Sequence, residues 1–388
     1  MTKRISILGV TGSIGVNTVD VIEHWGVHRF ETVAVTGNSN VARLADSARR
    51  LQAEIAVTAD GTKLEELRAA LAGSGIEAAA AEAALVEAAS RPVDWVMSAI
   101  VGAAGLRPTL AAAGTGATVA QANKECLVAA GPVFLAEVAR SGARLLPVDS
   151  EHNALFQLVA AEPDCPMERL ILTASGGPFR TMTRAQMARV TVAEARAHPR
   201  WSMGLRISVD SASMFNKALE MIEAHHLFDM PPDKIEVIVH PQSIVHALAG
   251  FHDGSVLAHL GPADMRVAIG HALAWPERER LPVERLDLAR LARLDFEAPD
   301  PDRFPPLRLA AEAMRIGGVA GCVMNAAHEV ALDAFIDGQI RFLDMAALVE
   351  DAMERLDGLP AATDLDDVFA ADAEARQVAR GRVGAFAA

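Results

Sequence analysis

Cysteine is scarce in this chain: Cys126, Cys165 and Cys322 are three in 388 residues, odd in number, far apart and in no CxxC spacing. That pattern indicates neither a disulfide framework nor a thiolate metal site, and it fits a reducing compartment. Basic charge is in deficit, with 36 Lys and Arg against 50 Asp and Glu and a formal net charge of −14. A broad nucleic-acid footprint needs a basic surface to neutralise phosphates, so nucleic acid is not an expected partner, and an anionic ligand must rely on local basic residues. No run approaches the ~18 uninterrupted apolar residues of a membrane span, and the apolar stretch of MTKRISILGVTGSIG is too short for the core of a signal peptide. The expectation is a soluble, unprocessed, cytoplasmic protein. Its 388 residues are 51% hydrophobic, enough for two or three cores rather than one.

Short apolar runs alternate with helical patterns over the first 150 or so residues. Strands are expected at Ile5 to Val10, Thr32 to Thr36, Glu54 to Thr58, Asp94 to Ile100, Ala117 to Gln121 and Arg144 to Val148, which implies an α/β, doubly wound parallel sheet of Rossmann-like type. The alanine-rich segment from Leu67 to Ser90 reads as surface helix, because alanine is the best helix former. Beyond it, ERLILTASGGPF and KIEVIVHPQSIVHALAGFHDGSVLAHLG read as strands of a mixed or antiparallel sheet turned at Asp253-Gly254, a second, α+β domain. A proline-rich, charged stretch suits a linker, and the remainder reads as a small C-terminal helical domain. The expected division is 1–149, 150–274, 275–306 for the linker, and 307–388.

Gly9, Gly12 and Gly15 follow the first strand and open a helix. Glycines there let the backbone approach a pyrophosphate bound at the helix N-terminus, although a tight strand-to-helix turn would use the same residues. The second strand lacks the acid that holds the ribose 2′-hydroxyl of NAD: it ends Thr36, Gly37, Asn38, Ser39, Asn40. A missing carboxylate favours NADP, and Arg43, one turn on, can pair with a 2′-phosphate.

Asp149 and Glu151 end the run LLPVDSEHNALFQ. As i and i+2 of a strand they would share a face and, being like charges, need a cation between them; oxygen donors suit Mg²⁺ or Mn²⁺. They would equally suit the N-terminus of a following helix. A second cluster tips the balance. In HPRWSMGLRISVDSASMFNKALE, Ser211 or Ser213 can cap a helix that carries Asn216, Lys217 and Glu220 on one face, a phosphate grip beside a third oxygen ligand. Trp201, Met203 and Gly204 suit a closing lid, with His198 available for phosphate or proton, and TASGGPF places a hydroxyl on a glycine loop. Asn123, Lys124 and Glu125 follow the fifth expected strand, at the sheet edge where such folds bind ligands.

The motifs GVTGSIG, SAIVGAAGLRPTL, ANKECLV, PVDSEHNALFQ, LTASGGPF, HPRWSMGLRISVDSASMFNKALE, HPQSIVHALAGFHDGSVLAHLG and MNAAHEVALDAF occur in order from about residue 5 to 335. Together they resemble the 1-deoxy-D-xylulose 5-phosphate reductoisomerase family, NADPH- and metal-dependent enzymes of the non-mevalonate isoprenoid pathway. The resemblance implies that Thr11, Gly12, Ser13, Ile14, Asn38, Ser39, Asn40, Asn123, Glu125 and Gly204 contact NADPH. It implies that Asp149, Glu151 and Glu220 hold the metal and, with Lys124, form the catalytic centre. Lys124, Ser150 and Glu151 would lie at the reacting end of a small phosphorylated sugar that Glu220 also binds; Ser175, His198, Ser211, Asn216 and Lys217 would position it and grip its phosphate, under Trp201. A homodimer is also implied. The chain departs from the family in the loop GNSNV, where many members carry a basic residue, and at His328, where the family has Asn, a position read as remote from the chemistry.

Two rival readings remain at the level of sequence. A homoserine- or semialdehyde-type NADP dehydrogenase would also combine a glycine loop with a lysine or cysteine at the sheet edge, but no histidine pattern marks Cys126 as an activated thiolate. A non-catalytic dinucleotide sensor would not need three acids beside a phosphate grip.

Overall fold

The computed structural model describes residues 2–197, 201 and 204–386, organised as two compact units. The first comprises 1–126, 134–153 and 264–284; the second comprises 127–133, 154–263 and 285–388.

The first unit is built on a seven-stranded parallel sheet: β1 (Lys3–Leu8), β2 (Phe30–Gly37), β3 (Ile55–Thr58), β4 (Glu77–Ala80), β5 (Trp95–Ser98), β6 (Thr118–Gln121) and β7 (Arg144–Pro147), in the order β4-β3-β2-β1-β5-β6-β7. Its inner strands are apolar on both faces, as expected of strands covered by helices on each side; Ile5, Ile7, Leu8, Val35, Val57, Trp95 and Val96 are almost wholly buried. The order of strands reverses between β1 and β5, which opens a crevice at their carboxyl ends. Ser98 pairs with Gln121 and Gln121 with Pro147, so the loops after β5, β6 and β7 leave from the same edge.

One element departs from the expectation. The segment Leu67 to Ser90, read as a single surface helix, instead takes in the end of helix Leu64–Ala70, then β4, then helix Glu82–Ala89. Gly73 and Gly75 adopt φ of +76° and +78°, which ends the first helix, and Glu77 to Ala80 then pair in register with Ile55 to Thr58. Alanine offers the edge of a sheet no steric objection, and pairing outweighs its helix propensity.

Residues 264–284 belong with this unit rather than with the catalytic segment or the linker. Helix Met265–Ala274 accepts the Trp95 indole N–H at the carbonyl of Ala272 (3.0 Å) and the Lys3 ammonium at that of Leu273 (2.7 Å). Arg266 bridges to Asp20, and the Trp25 indole donates to the carbonyl of Arg280.

The second unit carries a mixed sheet of β8 (Arg169–Ala174), β9 (Ile235–Val239), β10 (Val245–Gly250) and β11 (Val256–Leu260), ordered β11-β10-β8-β9. β8 and β9 run parallel, while β10 is antiparallel to β8 and β11, with the turn at Asp253-Gly254 as expected. Helices Pro306–Ile316, Ala320–Ile336, Asp344–Arg355 and Leu365–Arg382 form the C-terminal helical region. They are part of this unit: Pro306–Ile316 and Ala320–Ile336 pack on helix Phe215–Phe228, and the last two helices pack on Ala320–Ile336. A Cβ at Gly321 would fall 2.4 Å from the Val128 carbonyl oxygen. The stretch between the two helical regions is mostly irregular, with one short helix, Leu288–Leu291. Among the described residues no helix is long and apolar enough to cross a membrane.

Candidate active site

The sequence-selected residues fall into two groups, one on each unit. In the first, the loop after β1 is a backbone cradle. The N–H groups of Gly9 and Val10 donate to the Thr36 carbonyl, and that of Gly12 to Gly9. A Cβ at Gly9, where φ is +93°, would lie 2.5 Å from the Ala99 carbonyl oxygen, and one at Gly15 would lie 2.3 Å from that of Gly9. Both glycines are therefore demanded by backbone approach. Gly12 is different: its Cβ would meet nothing closer than 3.5 Å. It precedes helix Ser13–Trp25 with no side-chain cap, which leaves the helix N–H groups for an anion. Thr11 and Ile14 are half-buried, and Gly12 and Ser13 are exposed.

Asn38, Ser39 and Asn40 form the exposed loop after β2. The Thr58 hydroxyl donates to the Asn38 carbonyl (2.6 Å), and Asn40 Oδ1 caps helix Val41–Arg50 by accepting the Arg43 N–H at 3.1 Å.

After β6, the buried Asn123 donates its amide to the carbonyls of Ile100 and Gly102, while its Oδ1 is a buried acceptor with no partner among the described residues. Lys124 Nζ lies 2.6 Å from Asp149 Oδ2, and Glu125 opens the following helix.

Asp149 and Glu151 do not sit as two same-face residues of a strand. β7 stops at Pro147, and Ser150–Ala161 is helical. Asp149 stands just before that helix, its carbonyl accepting the Asn153 N–H (2.8 Å), and Glu151 lies in the first turn. Proline lacks an N–H for the ladder and acids favour a helix N-terminus, so β7 stops at Pro147 and the helix begins at Ser150. The Ser150 hydroxyl donates to Glu151 Oε2 at 2.5 Å.

In the second unit, the Ser175–Gly177 loop follows β8. The Gly177 N–H donates to Ser175 Oγ (3.2 Å), and a Cβ on Gly177 would sit 2.9 Å from Ala212 Cα, so the loop lies against helix Leu205–Ser213. Gly204 precedes that helix and Ser211 lies in its last turn. The expected cap by Ser211 or Ser213 is not made. Met214, at φ +67°, separates this helix from Phe215–Phe228, and the Ser213 hydroxyl instead donates back to the carbonyl of Val209. The turn comes from one left-handed residue between two helices, a feature that a methionine does not advertise.

On helix Phe215–Phe228 the expected face is real. The Asn216 amide and the Lys217 ammonium both bond the Glu220 carboxylate; Lys217 is 3% and Glu220 1% exposed. Burial of charges to this degree needs a paired, hydrogen-bonded setting. Trp201 lies with its ring centroid 6.4 Å from that of His246. His198 and Met203 lie outside the described residues.

The structure adds one pair that the sequence reading set aside. His328 Nε2 is 2.8 Å from Asp210 Oδ1, and its ring stacks on Phe215 at 4.0 Å. His328 therefore holds Asp210, the chain neighbour of Ser211. The exchange of Asn for His in MNAAHEV was the signal, and only the tertiary fold supplies its partner. Cys126 and Cys322 are buried, and burial pushes the Cys322 thiol up to about 12, so neither resembles an activated nucleophile.

Three family models match this chain. One described as 1-deoxy-D-xylulose 5-phosphate reductoisomerase matches residues 5–131, that enzyme's C-terminal domain matches 145–228, and a further DXP reductoisomerase C-terminal domain matches 260–378. The 1-deoxy-D-xylulose 5-phosphate reductoisomerase of Sinorhizobium medicae (strain WSM419) is 63% identical over 384 residues, covering 99% of this chain and 98% of the relative.

The chain belongs to the 1-deoxy-D-xylulose 5-phosphate reductoisomerase family.

Another reductoisomerase, from Rhizobium meliloti (strain 1021), is 63% identical over 380 residues, 98% of this chain and 97% of the relative. Among solved structures, the Zymomonas mobilis reductoisomerase in complex with NADPH is 49% identical, with a TM-score of 0.93 and 99% of each chain covered. A reductoisomerase in complex with NADPH, fosmidomycin and magnesium is 39% identical, with a TM-score of 0.93 and 98% of each chain covered. The resemblance drawn from the sequence motifs is thus borne out, and the dehydrogenase and sensor readings are not favoured.

Proposed function

We propose that this chain rearranges 1-deoxy-D-xylulose 5-phosphate and reduces the product with NADPH to 2-C-methyl-D-erythritol 4-phosphate, in the non-mevalonate route to isoprenoids. The observation that carries this reading is the 63% identity, over 99% of the chain, to a reductoisomerase.

The residues present suit both implied groups. Gly9 and Gly15 bring the loop against the start of helix Ser13–Trp25, Gly12 leaves that helix without a side-chain cap, and the orphaned Asn123 Oδ1 offers a buried acceptor. Asp149, Glu151 and Glu220 offer carboxylate oxygens alone, the donor type of a hard divalent ion, Mg²⁺ or Mn²⁺. When bound, the ion supplies Lewis-acid polarisation of the substrate's carbonyl and hydroxyl oxygens, and NADPH supplies hydride.

The protein's part is binding, orientation and exclusion of water. Thr11, Gly12, Ser13 and Ile14 contact NADPH, joined by Asn38, Ser39, Asn40, Asn123, Glu125 and Gly204. Lys124 and Ser150 orient the reacting end of the substrate. Ser175, His198, Ser211, Asn216 and Lys217 grip its phosphate, remote from the bonds that change, so that binding energy is available to close the site. Trp201 covers the reacting centre and keeps both fragments from water. The first unit, which includes residues 264–284, then acts as the cofactor domain and the second binds the substrate, in a cytoplasmic homodimer. The test is NADPH consumption with 1-deoxy-D-xylulose 5-phosphate before and after chelation. Activity lost to chelator and restored by Mn²⁺ or Mg²⁺ supports the reading; NADPH consumption indifferent to chelator overturns it.

A further inference from the structure

The loop after β2 lies directly beside the glycine cradle: the Thr36 carbonyl accepts the N–H groups of Gly9 and Val10, and a Cβ on Gly37 would fall 3.0 Å from Thr11 Cγ2. In a fold of this kind the adenosine ribose of a dinucleotide reaches the end of the second strand, where an acid selects the free 2′-hydroxyl of NAD. From Thr36 to Asn40 there is no acid, and no base either. The first charged side chain is Arg43. Its placement is not that of a solvated helix residue. Asn40 Oδ1 fixes its backbone N–H at the helix start, and its guanidinium turns back to donate to the Thr11 carbonyl at 3.2 Å.

The other arginines of helix Val41–Arg50 are engaged elsewhere. Arg49 donates to the carbonyls of Ala70 and Ala72, and Arg50 pairs with Glu23 and Asp46. Arg43 is exposed and, among the described residues, forms no salt bridge. An arginine held against the nucleotide loop by one neutral acceptor retains further N–H donors in a planar fork, the geometry suited to a phosphate.

The geometry points to Arg43 as the residue that binds the 2′-phosphate of NADPH and sets the preference of this enzyme for NADPH over NADH. This rests on the function proposed above, with the cofactor in the cradle of Gly9, Gly12 and Gly15. Arg43→Gln keeps an amide donor for the Thr11 carbonyl while removing the charge and the fork. The Kd of NADPH is then expected to rise roughly ten- to hundredfold, the scale of a lost charged hydrogen bond. The Kd of NADH should stay as it was, and competition by 2′,5′-ADP should be lost while that by 5′-AMP persists. If the two dinucleotides weaken by the same factor, or neither changes, Arg43 is not the phosphate ligand. Turnover of the unmodified enzyme with 1-deoxy-D-xylulose 5-phosphate, measured alongside, separates the two claims. Failure there overturns the proposed reaction, whereas the 2′,5′-ADP comparison still decides the role of Arg43.

Discussion

Gly15→Ala is the substitution for which the structure makes the sharpest demand. Gly15 lies inside helix Ser13–Trp25, where alanine is ordinarily worth ~1 kcal/mol more than glycine. Propensity alone therefore forecasts a more stable protein. Packing forecasts the opposite: the new Cβ would lie 2.3 Å from the Gly9 carbonyl oxygen and 2.5 Å from Val10 Cα, against 3.4 Å for ordinary contact. Both obstacles are backbone, so the helix and the loop must separate by about 1 Å. Overpacking of that kind costs roughly 1–3 kcal/mol, enough to cancel the helix gain. The larger effect falls on the cofactor, because a ~1 Å misplacement of binding groups can cost up to ~100-fold. Fluorescence titration should show NADPH binding weakened at least about tenfold, a modest part of that limit, with a lower Tm. Gly12→Ala is the internal control. Its Cβ meets nothing within 3.5 Å and its φ is −79°, so the fold should be unaffected, and any lost affinity reports the approach of the nucleotide itself. A Gly15→Ala protein with a raised Tm and unchanged NADPH affinity would show that the close approach of helix and loop at Gly15 is not required.

Glu220→Gln should abolish most turnover and weaken Mn²⁺ binding while leaving NADPH affinity unchanged; wild-type rate and metal dependence would remove Glu220 from the ligand set. His328→Leu deletes both the bond to Asp210 and the stack on Phe215, at about 2 kcal/mol of stability. It should also raise the substrate KM with NADPH affinity intact, and His328→Gln, which retains a donor, should restore much of both. The His226 ring packs over Gly131, and burial holds its pKa down to about 4. The folded state thus keeps it neutral, whereas the unfolded chain protonates it near the ordinary value of about 6.5. Its contribution is complete above that pH and lost as pH falls towards 4, by roughly 3 kcal/mol. Unfolding measured across that range should show a shallower slope in His226→Phe; an equal slope would place the acid sensitivity elsewhere.

Much of the fold is legible in the sequence because buried parallel strands leave continuous Val and Ile runs, and glycine marks the turn after β1. β4 was not legible: its four residues, Glu77 to Ala80, have helical composition, and only the edge offered by β3 makes them a strand. The residue types of the site were legible because chemistry restricts them, as Asp149, Glu151, Lys217 and Glu220 illustrate. Their local settings were less so. Asp149 stands before a helix because β7 has already stopped at Pro147, and the left-handed Met214 that turns one helix into the next has no signature of its own. His328 shows the remaining limit, since its partner Asp210 lies 118 residues away in the chain.

The most direct test of the central claim is the structure of the product. Incubated with isotopically labelled 1-deoxy-D-xylulose 5-phosphate, NADPH and Mn²⁺, the enzyme should yield a branched carbon skeleton by NMR, with one NADPH oxidised for each molecule formed. An unbranched polyol phosphate, formed with the same consumption of NADPH, would show a simple ketone reductase and contradict the account.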